Sequence, residues 1–334
     1  MPEPLAKERK ICYNGRGAPA VPLPFFLLGG YMNTLSSCTL CPRLCRVDRL
    51  GGQRGFCRAG DLALVTRAAP HRWEEPCLCG EGGSGTVFFG GCNLGCVFCQ
   101  NRAISRGAVG TPVTTEELAA IFLSLAERGV SNLNLVTPTP WVPHIKEALN
   151  VAWEKGFWLP VVYNGGGYEN AEVIASLRGY ISVYLPDFKY FDPALGQALS
   201  GVPDYPARAG EALREMVDQR GEARFDGDGL MTRGVIVRHL VLPGHVEDSK
   251  RVLSYLHHEY GDSIYISIMS QYTPMAGMTG ELARPLSEGE YAEVVEHALS
   301  LGIRNAFIQE GSAVGESFIP AFDGEGVLPH TQKK

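Results

Sequence analysis

From Thr86 onward the chain alternates short apolar runs with amphipathic periods, and nothing else in the sequence constrains the fold as strongly. The runs are Thr86–Gly90, Asn132–Thr137, Leu159–Tyr163, Ile181–Asp187, Gly234–Leu242, Ser263–Met269 and Arg304–Gln309. The spacing predicts helices between them. Leu118, Ile121, Phe122 and Leu125 share one face of the first, and Thr114 with Glu117 forms its capping box. The last helix has Ser287 and Glu290 as its box and Tyr291, Val294, Val295, Ala298 and Leu299 as its stripe. Further helices fit Pro143–Lys155, Asn170–Leu177, Pro206–Arg220 and Asp248–Tyr260. Repeated strand-then-helix units imply an α/β fold with a parallel sheet and right-handed crossovers. Residues 86–309 make a barrel-sized unit, and an open doubly wound sheet is the competing architecture.

Composition excludes several classes. The 334 residues are 45% hydrophobic and 20% charged, which is the balance of a globular chain. The longest apolar suspect, Val21–Gly30, carries Pro22 and Pro24 and is too short to span a bilayer. Basic residues precede it, and Leu35-Ser36-Ser37-Cys38 resembles a lipoprotein cleavage box; the prolines and the cysteine cluster around Cys38 argue against secretion. All ten cysteines lie at or before Cys99. A disulfide framework would not leave the larger part of a globular chain without cysteine, so the clustering reads as metal ligation in a reducing, cytoplasmic setting.

Gly90-Gly91-Cys92-Asn93-Leu94-Gly95-Cys96-Val97-Phe98-Cys99 sets three thiols at Cys-x3-Cys-x2-Cys directly after the first of these strands. Three such thiolates can hold three irons of a cubic 4Fe–4S cluster and leave the fourth iron open. The competing reading is a structural zinc knuckle or buried free thiols, but zinc wants a fourth ligand and none is obvious nearby.

With Phe98 before the last cysteine, the segment resembles the motif of the radical S-adenosylmethionine (SAM) superfamily. The resemblance implies a partial (β/α)6 barrel, a 4Fe–4S cluster on Cys92, Cys96 and Cys99, and SAM chelated by the open iron. It further implies reductive cleavage of SAM to a 5′-deoxyadenosyl radical. Cys38–Cys45, Tyr163-Asn164, Tyr184–Lys189, Val237–Gly244 and Met269–Tyr272 resemble the branch of the pyruvate formate-lyase-activating enzyme.

The resemblance also implies the cofactor-binding set. Phe98 belongs to the cluster loop. Thr137-Pro138-Thr139 stands where the superfamily carries Gly-Gly-Glu, leaving hydroxyls of Thr137 and Thr139 and backbone carbonyls for the SAM amino group. Asn164 replaces an aspartate that helps hold a monovalent cation, and Asp187 with Lys189 keeps an Asp-x-Lys that contacts SAM or the cation. Gln271 ends a later strand. Arg238 sits in an apolar strand, sharing a face with Ile236, Leu240 and Leu242. Such a charge needs a partner, either the SAM carboxylate or a buried Asp or Glu. His239 takes the helix-facing side.

Cys38, Cys41, Cys45 and Cys57 place four thiols in a segment rich in Arg, Gly and Pro. They suit zinc, a one-iron site or a second Fe–S cluster, with metal replacing a hydrophobic core. Arg43, Arg46, Arg49, Arg54 and Arg58 make the segment basic. Without interleaved aromatics, that charge reads as neutralising thiolates and meeting the acidic barrel rather than binding nucleic acid. Cys77 and Cys79 are weak additional candidates, and Cys12 carries no signal.

These readings divide the chain into a Cys-rich extension (1–85, knuckle 38–57), a core barrel (86–310) and a closing tail (311–334), with residues 1–37 poorly ordered. The resemblance makes the leading expectation a radical SAM oxidoreductase that activates a glycyl-radical-type partner protein. A one-electron donor such as flavodoxin or ferredoxin would feed it, and no membrane is involved. The alternatives are the same radical acting on a small molecule or RNA, and a metal-binding or electron-carrier module.

Overall fold

The computed structural model describes residues 34–107, 109–309 and 320–327. The apolar run 21–30 and Cys12 lie outside them, as does most of the expected disordered segment. The part of that segment that is described is ordered: residues 34–36 are helical and Leu35 is buried.

Ten strands form the sheet: β1 (Ala63–His71), β2 (Ser84–Phe89), β3 (Thr111–Val113), β4 (Leu133–Val136), β5 (Val161–Gly165), β6 (Val183–Pro186), β7 (Arg224–Phe225), β8 (Met231–Leu240), β9 (Tyr265–Met269) and β10 (Ala306–Ile308). Their order is β10-β9-β8-β6-β5-β4-β2-β1-β3, with β7 on β8. From β2 to β10 every neighbouring pair is parallel and follows chain order. A doubly wound sheet reverses its order at a switch point; this one does not, so the barrel architecture is correct. It is a partial barrel. Its β2 edge continues into antiparallel β1 and β3 instead of closing on β10.

The helices are α1 (Arg102–Ser105), α2 (Thr115–Glu127), α3 (Val142–Glu154), α4 (Ala171–Ala175), α5 (Pro193–Ser200), α6 (Tyr205–Arg220), α7 (Val246–Tyr260) and α8 (Glu288–Ser300). Both capping boxes form, Thr114 with Glu117 on α2 and Ser287 with Glu290 on α8. The expected stripe of α8 is narrower than its sequence implies. Val294 and Ala298 are buried, whereas Leu299 is 62% exposed, because α8 packs mainly on its neighbour α7.

Alternation gives the strands two faces. Leu133, Leu135, Val161, Tyr163, Tyr184, Val235, Val237, Ile266 and Ile268 join the main core with the helices. Val162, Val183, Leu185 and Ile236 point into the barrel and pack on Cys77 and Leu78. Those two residues belong to the β1–β2 connection, which therefore plugs the barrel at the amino-terminal ends of its strands. Asn132 at the foot of β4 donates to the Leu78 carbonyl, and the Gly80 amide donates to Ser131. Tail residues 320–327 bond to the backbone of β1, and Phe322 packs on Phe88.

Candidate active site

The cysteine triplet lies in the loop leaving β2, at the carboxy-terminal mouth of the barrel. Two glycines shape it. Gly91 has φ +83°, and a Cβ there would sit 2.4 Å from the carbonyl of Cys57, so the knuckle presses directly on the cluster loop. Gly95 has φ +70°. Each sulfur has a hydrogen-bond donor: Cys92 the Leu94 amide at 3.4 Å, Cys96 the Ser200 hydroxyl at 3.1 Å, and Cys99 the Ser105 hydroxyl at 3.6 Å. Burial, reinforced by Cys96 and Cys99, pushes the Cys92 thiol up to about 12, and burial raises Cys99. Three ionised sulfurs here require a cationic group between them. Phe98 is buried, edge-on to Tyr190 and tilted against Tyr272, and so packs the loop onto the barrel.

Inside the mouth, Asp187 is the hub. Lys189 Nζ donates to its Oδ2 at 2.7 Å and Arg238 Nε to its Oδ1 at 3.1 Å. Burial alone would raise this carboxyl; Lys189 and Arg238 outweigh burial and hold it below the ordinary aspartate value. Arg238 also donates to Asn164 Oδ1 at 2.5 Å and stands 3.7 Å from Glu74. Asp187, Asn164 and Glu74 therefore engage the guanidinium, which answers the need for a buried partner from within the chain. The oxygen that Asn164 offers toward a cation is taken by Arg238. Lys189 also lies within electrostatic reach of Cys99, which it favours in the ionised form. The backbone carbonyl of Gln271 accepts from Gln100, tying the β9 loop to the end of the triplet. His239 sits on the helix-facing side, with Nδ1 2.7 Å from the Phe188 carbonyl.

The Thr137–Thr139 segment differs from expectation. Thr137 has φ +59°, a left-handed conformation costly for a β-branched residue. The Thr139 hydroxyl is engaged within the chain: it donates to Glu169 Oε1 at 3.0 Å and accepts from Tyr163 at 3.1 Å, which leaves one lone pair. No sequence pattern marks Glu169, which is fully buried; burial pushes its carboxyl up to about 7. Glu74, Glu75, Ser105 and Ser200 were equally unmarked, because no spacing rule links them to the motif.

Cys38, Cys41, Cys45 and Cys57 line one cavity of about 10 Å³ with Arg43 and Arg49. Burial, with the neighbouring thiols, pushes Cys41 up to about 12. Leu44, Arg46 and Arg58, beside these cysteines, all take left-handed φ. Among the described residues neither these four thiols nor the triplet is drawn together into a closed metal-binding geometry, so a metal would have to pull the sulfurs in. Two of the arginines face inward. Arg43 stacks 3.7 Å over Phe56 and donates to the carbonyls of Asn93, Leu94, Ser200 and Gly201. Arg49 is buried on Gly60 and Pro140 over the Trp141 ring.

The radical SAM superfamily profile matches residues 86–256, which is more than half of the chain. The chain belongs to the radical SAM superfamily. It is 30% identical over 250 residues to an uncharacterised protein of Methanocaldococcus jannaschii, covering 72% of this chain and 68% of that one. Among solved structures it is similar to SuiB of Streptococcus suis bound to SAM, with TM-score 0.46, 15% identity, and coverage of 66% and 48% of the two chains. It is also similar to methylornithine synthase, with TM-score 0.39, 17% identity, and coverage of 62% and 59%. The chain thus spans about half the length of these solved proteins. Membership implies a 4Fe–4S cluster and SAM for this radical SAM enzyme. The triplet fits the cluster: three grouped thiols at the mouth, each with a donor at sulfur. No helix among the described residues is long and apolar enough to cross a membrane.

Proposed function

We propose that the enzyme cleaves SAM reductively and uses the resulting radical to abstract hydrogen from a glycyl-radical-type partner protein. The cluster and SAM, when bound, supply the electron transfer and the 5′-deoxyadenosyl radical. The residues of the chain do the rest. Cys92, Cys96 and Cys99 hold three irons and leave one open. Ser105, Ser200 and the Leu94 amide neutralise charge on the sulfurs. Lys189 directs positive charge from the Asp187 hub toward the triplet. Phe98, Tyr190 and Tyr272 exclude water from the back of the loop. The observation that carries this reading is the triplet at the mouth with a donor on every sulfur.

The segments similar to the activating-enzyme branch support the protein partner, and a flavodoxin or ferredoxin suits the electron supply of a cytoplasmic enzyme. The knuckle is proposed to hold one zinc or iron ion, supported by its four thiols around one small cavity. A second reading, a small-molecule substrate, is favoured by Phe322, which packs with Phe88 against Val136 and narrows one side of the mouth.

Anaerobic enzyme reconstituted with iron and sulfide should release 5′-deoxyadenosine from SAM under dithionite. Mixed with the products of neighbouring genes, it should raise a glycyl radical on one of them, detected by electron paramagnetic resonance. Deuterium transfer from a metabolite into 5′-deoxyadenosine without a protein radical would establish the second reading. Absence of 5′-deoxyadenosine from loaded enzyme would reject both.

A further inference from the structure

The connection that plugs the barrel carries two adjacent carboxylates, Glu74 and Glu75, immediately before Pro76. Cys77 and Leu78 anchor the plug among Val162, Val183, Leu185 and Ile236. From that anchor the two glutamates reach the polar layer of the barrel. Glu74 stands 3.7 Å from Arg238, and Glu75 lies within reach of Arg238 and of the Ser267 hydroxyl. Arg238 and Ser267 are register neighbours on β8 and β9, on the face that points inward. The glutamates therefore form a floor beneath the Asp187–Arg238–Lys189 cluster, with the cysteine triplet above.

This floor is unsatisfied in two independent ways. Glu75 Oε2 is buried without a hydrogen-bond partner. Asn134, 0% exposed and on the inward face of β4, faces Glu74, but neither its amide nitrogen nor its oxygen has a partner in full hydrogen-bond geometry. Buried polar groups without partners cost free energy, and native chains keep them where a ligand completes them. Three carboxyls, Glu74, Glu75 and Asp187, share Arg238 and Lys189, and burial raises both glutamates, so their ionised forms need a further positive partner. Asp187 already takes both cations, while Glu74 has only a longer ion pair to Arg238, at 3.7 Å, and Asn134 beside it. The layer is reached from the mouth, since the side chains of Arg238, Lys189 and Asp187 keep 15–18% exposure inside the barrel.

We propose that Glu74, Glu75 and Asn134 form the substrate-recognition floor of the barrel and bind a cationic nitrogen group, an ammonium or guanidinium, on the molecule that receives the radical. This rests on the radical SAM reading and adds the chemistry of the substrate to it. A cation with several N–H donors supplies hydrogen bonds to Glu75 Oε2 and the Asn134 oxygen and offsets the cost of ionising buried carboxylates. Recognition then lies on the plug, while SAM is handled at the mouth. A protein partner would present a lysine or arginine side chain, and a small substrate its own amine.

The test uses cluster-loaded, SAM-bound enzyme without reductant, under anaerobic titration calorimetry. The probes are n-butylguanidinium and n-butylammonium, with n-butanol and butyrate as neutral and anionic controls. At least one cation should bind and neither control should. Glu75→Gln and Glu74→Gln should each weaken the cation by about tenfold or more, with iron content and thermal unfolding near those of the wild type. Binding of n-butanol as tight as the cations, no heat from either cation, or wild-type affinity in Glu75→Gln would overturn the proposal. Should a variant fail to fold, the wild-type preference for cation over control still decides. The assay needs no SAM cleavage, so failure of the radical reading would show separately as missing 5′-deoxyadenosine.

Discussion

Ser200, the last residue of α5, donates its hydroxyl to the sulfur of Cys96 at 3.1 Å and pairs with the Tyr190 hydroxyl at 2.8 Å. A chain position 104 residues from the cysteine thus controls the charge density on one sulfur of the triplet. Hydrogen bonds to cluster sulfurs raise the reduction potential by stabilising the more negative state. Ser200→Ala should leave iron content unchanged and lower the potential of the loaded cluster. A bond of about 1 kcal/mol corresponds to a shift of roughly 40 mV for one electron. Redox titration followed by electron paramagnetic resonance reads the shift, and a potential equal to the wild type would remove Ser200 from this role.

Arg43 joins the knuckle to the cluster loop, since its guanidinium donates to carbonyls in both the triplet segment and the end of α5. Arg43→Met strips four carbonyls of a charged donor and the Phe56 ring of its stacked cation. Stability should fall by about 2–3 kcal/mol. Arg43→Lys should recover little of it, because one ammonium cannot reproduce the planar fork. Urea unfolding of the three proteins checks the order; equal midpoints for Arg43→Met and the wild type would refute it.

The knuckle should hold metal independently of the triplet. In the Cys92→Ala/Cys96→Ala/Cys99→Ala protein, elemental analysis should find about one zinc or iron per chain, as four thiols lining one small cavity suggest. Folded triple variant with no metal would reject a metal role for Cys38, Cys41, Cys45 and Cys57.

How much of this was legible in the sequence depended on whether the signal was local. Thr114 with Glu117 and Ser287 with Glu290 are spacings within one turn, and both boxes form; the triplet is a spacing within one loop, and it lies in the loop after β2. The strand containing Arg238 was legible because a period of two exposes a misplaced charge, and so was the need for a partner. Which partner was not, since Glu74 comes from a plug 164 residues earlier with no apolar period of its own. Strand β1 was missed for a related reason: Ala, Thr, Arg and Pro make a weak strand pattern, and pairing with β2 and β3 supplies what propensity lacks. Glu169 had no pattern at all; only the folded chain brings it to Thr139.

Glu169 gives the protein a pH signature. Burial holds its carboxyl at about 7 in the folded state, above the ordinary 4.5. Between those values the folded chain binds more protons than the unfolded chain, so stability falls as pH rises from about 4.5 to 7 and is level above. The span is roughly 3 kcal/mol. Glu169→Gln should match the wild type near pH 5 and exceed it by about 2–3 kcal/mol at pH 8. Urea unfolding across that range measures the difference, and a difference independent of pH would contradict it.

Arg238 separates two structural couplings. Its removal leaves Asp187 with Lys189 but leaves Glu74 without any cation among the described residues. Arg238→Met should therefore destabilise the chain by about 3–5 kcal/mol, the cost of an uncompensated buried charge. The loss should be relieved by neutralising Glu74 more than by neutralising Asp187, which still serves Lys189. A double-mutant cycle with Glu74→Gln should give a coupling of about 1–3 kcal/mol despite the 3.7 Å separation. In the cycle with Asp187→Asn, the stranded Lys189 should add a penalty that offsets the gain. If the Arg238–Glu74 cycle closes without coupling, Arg238 belongs to the Asp187 hub alone, and the floor beneath it carries its charge unaided.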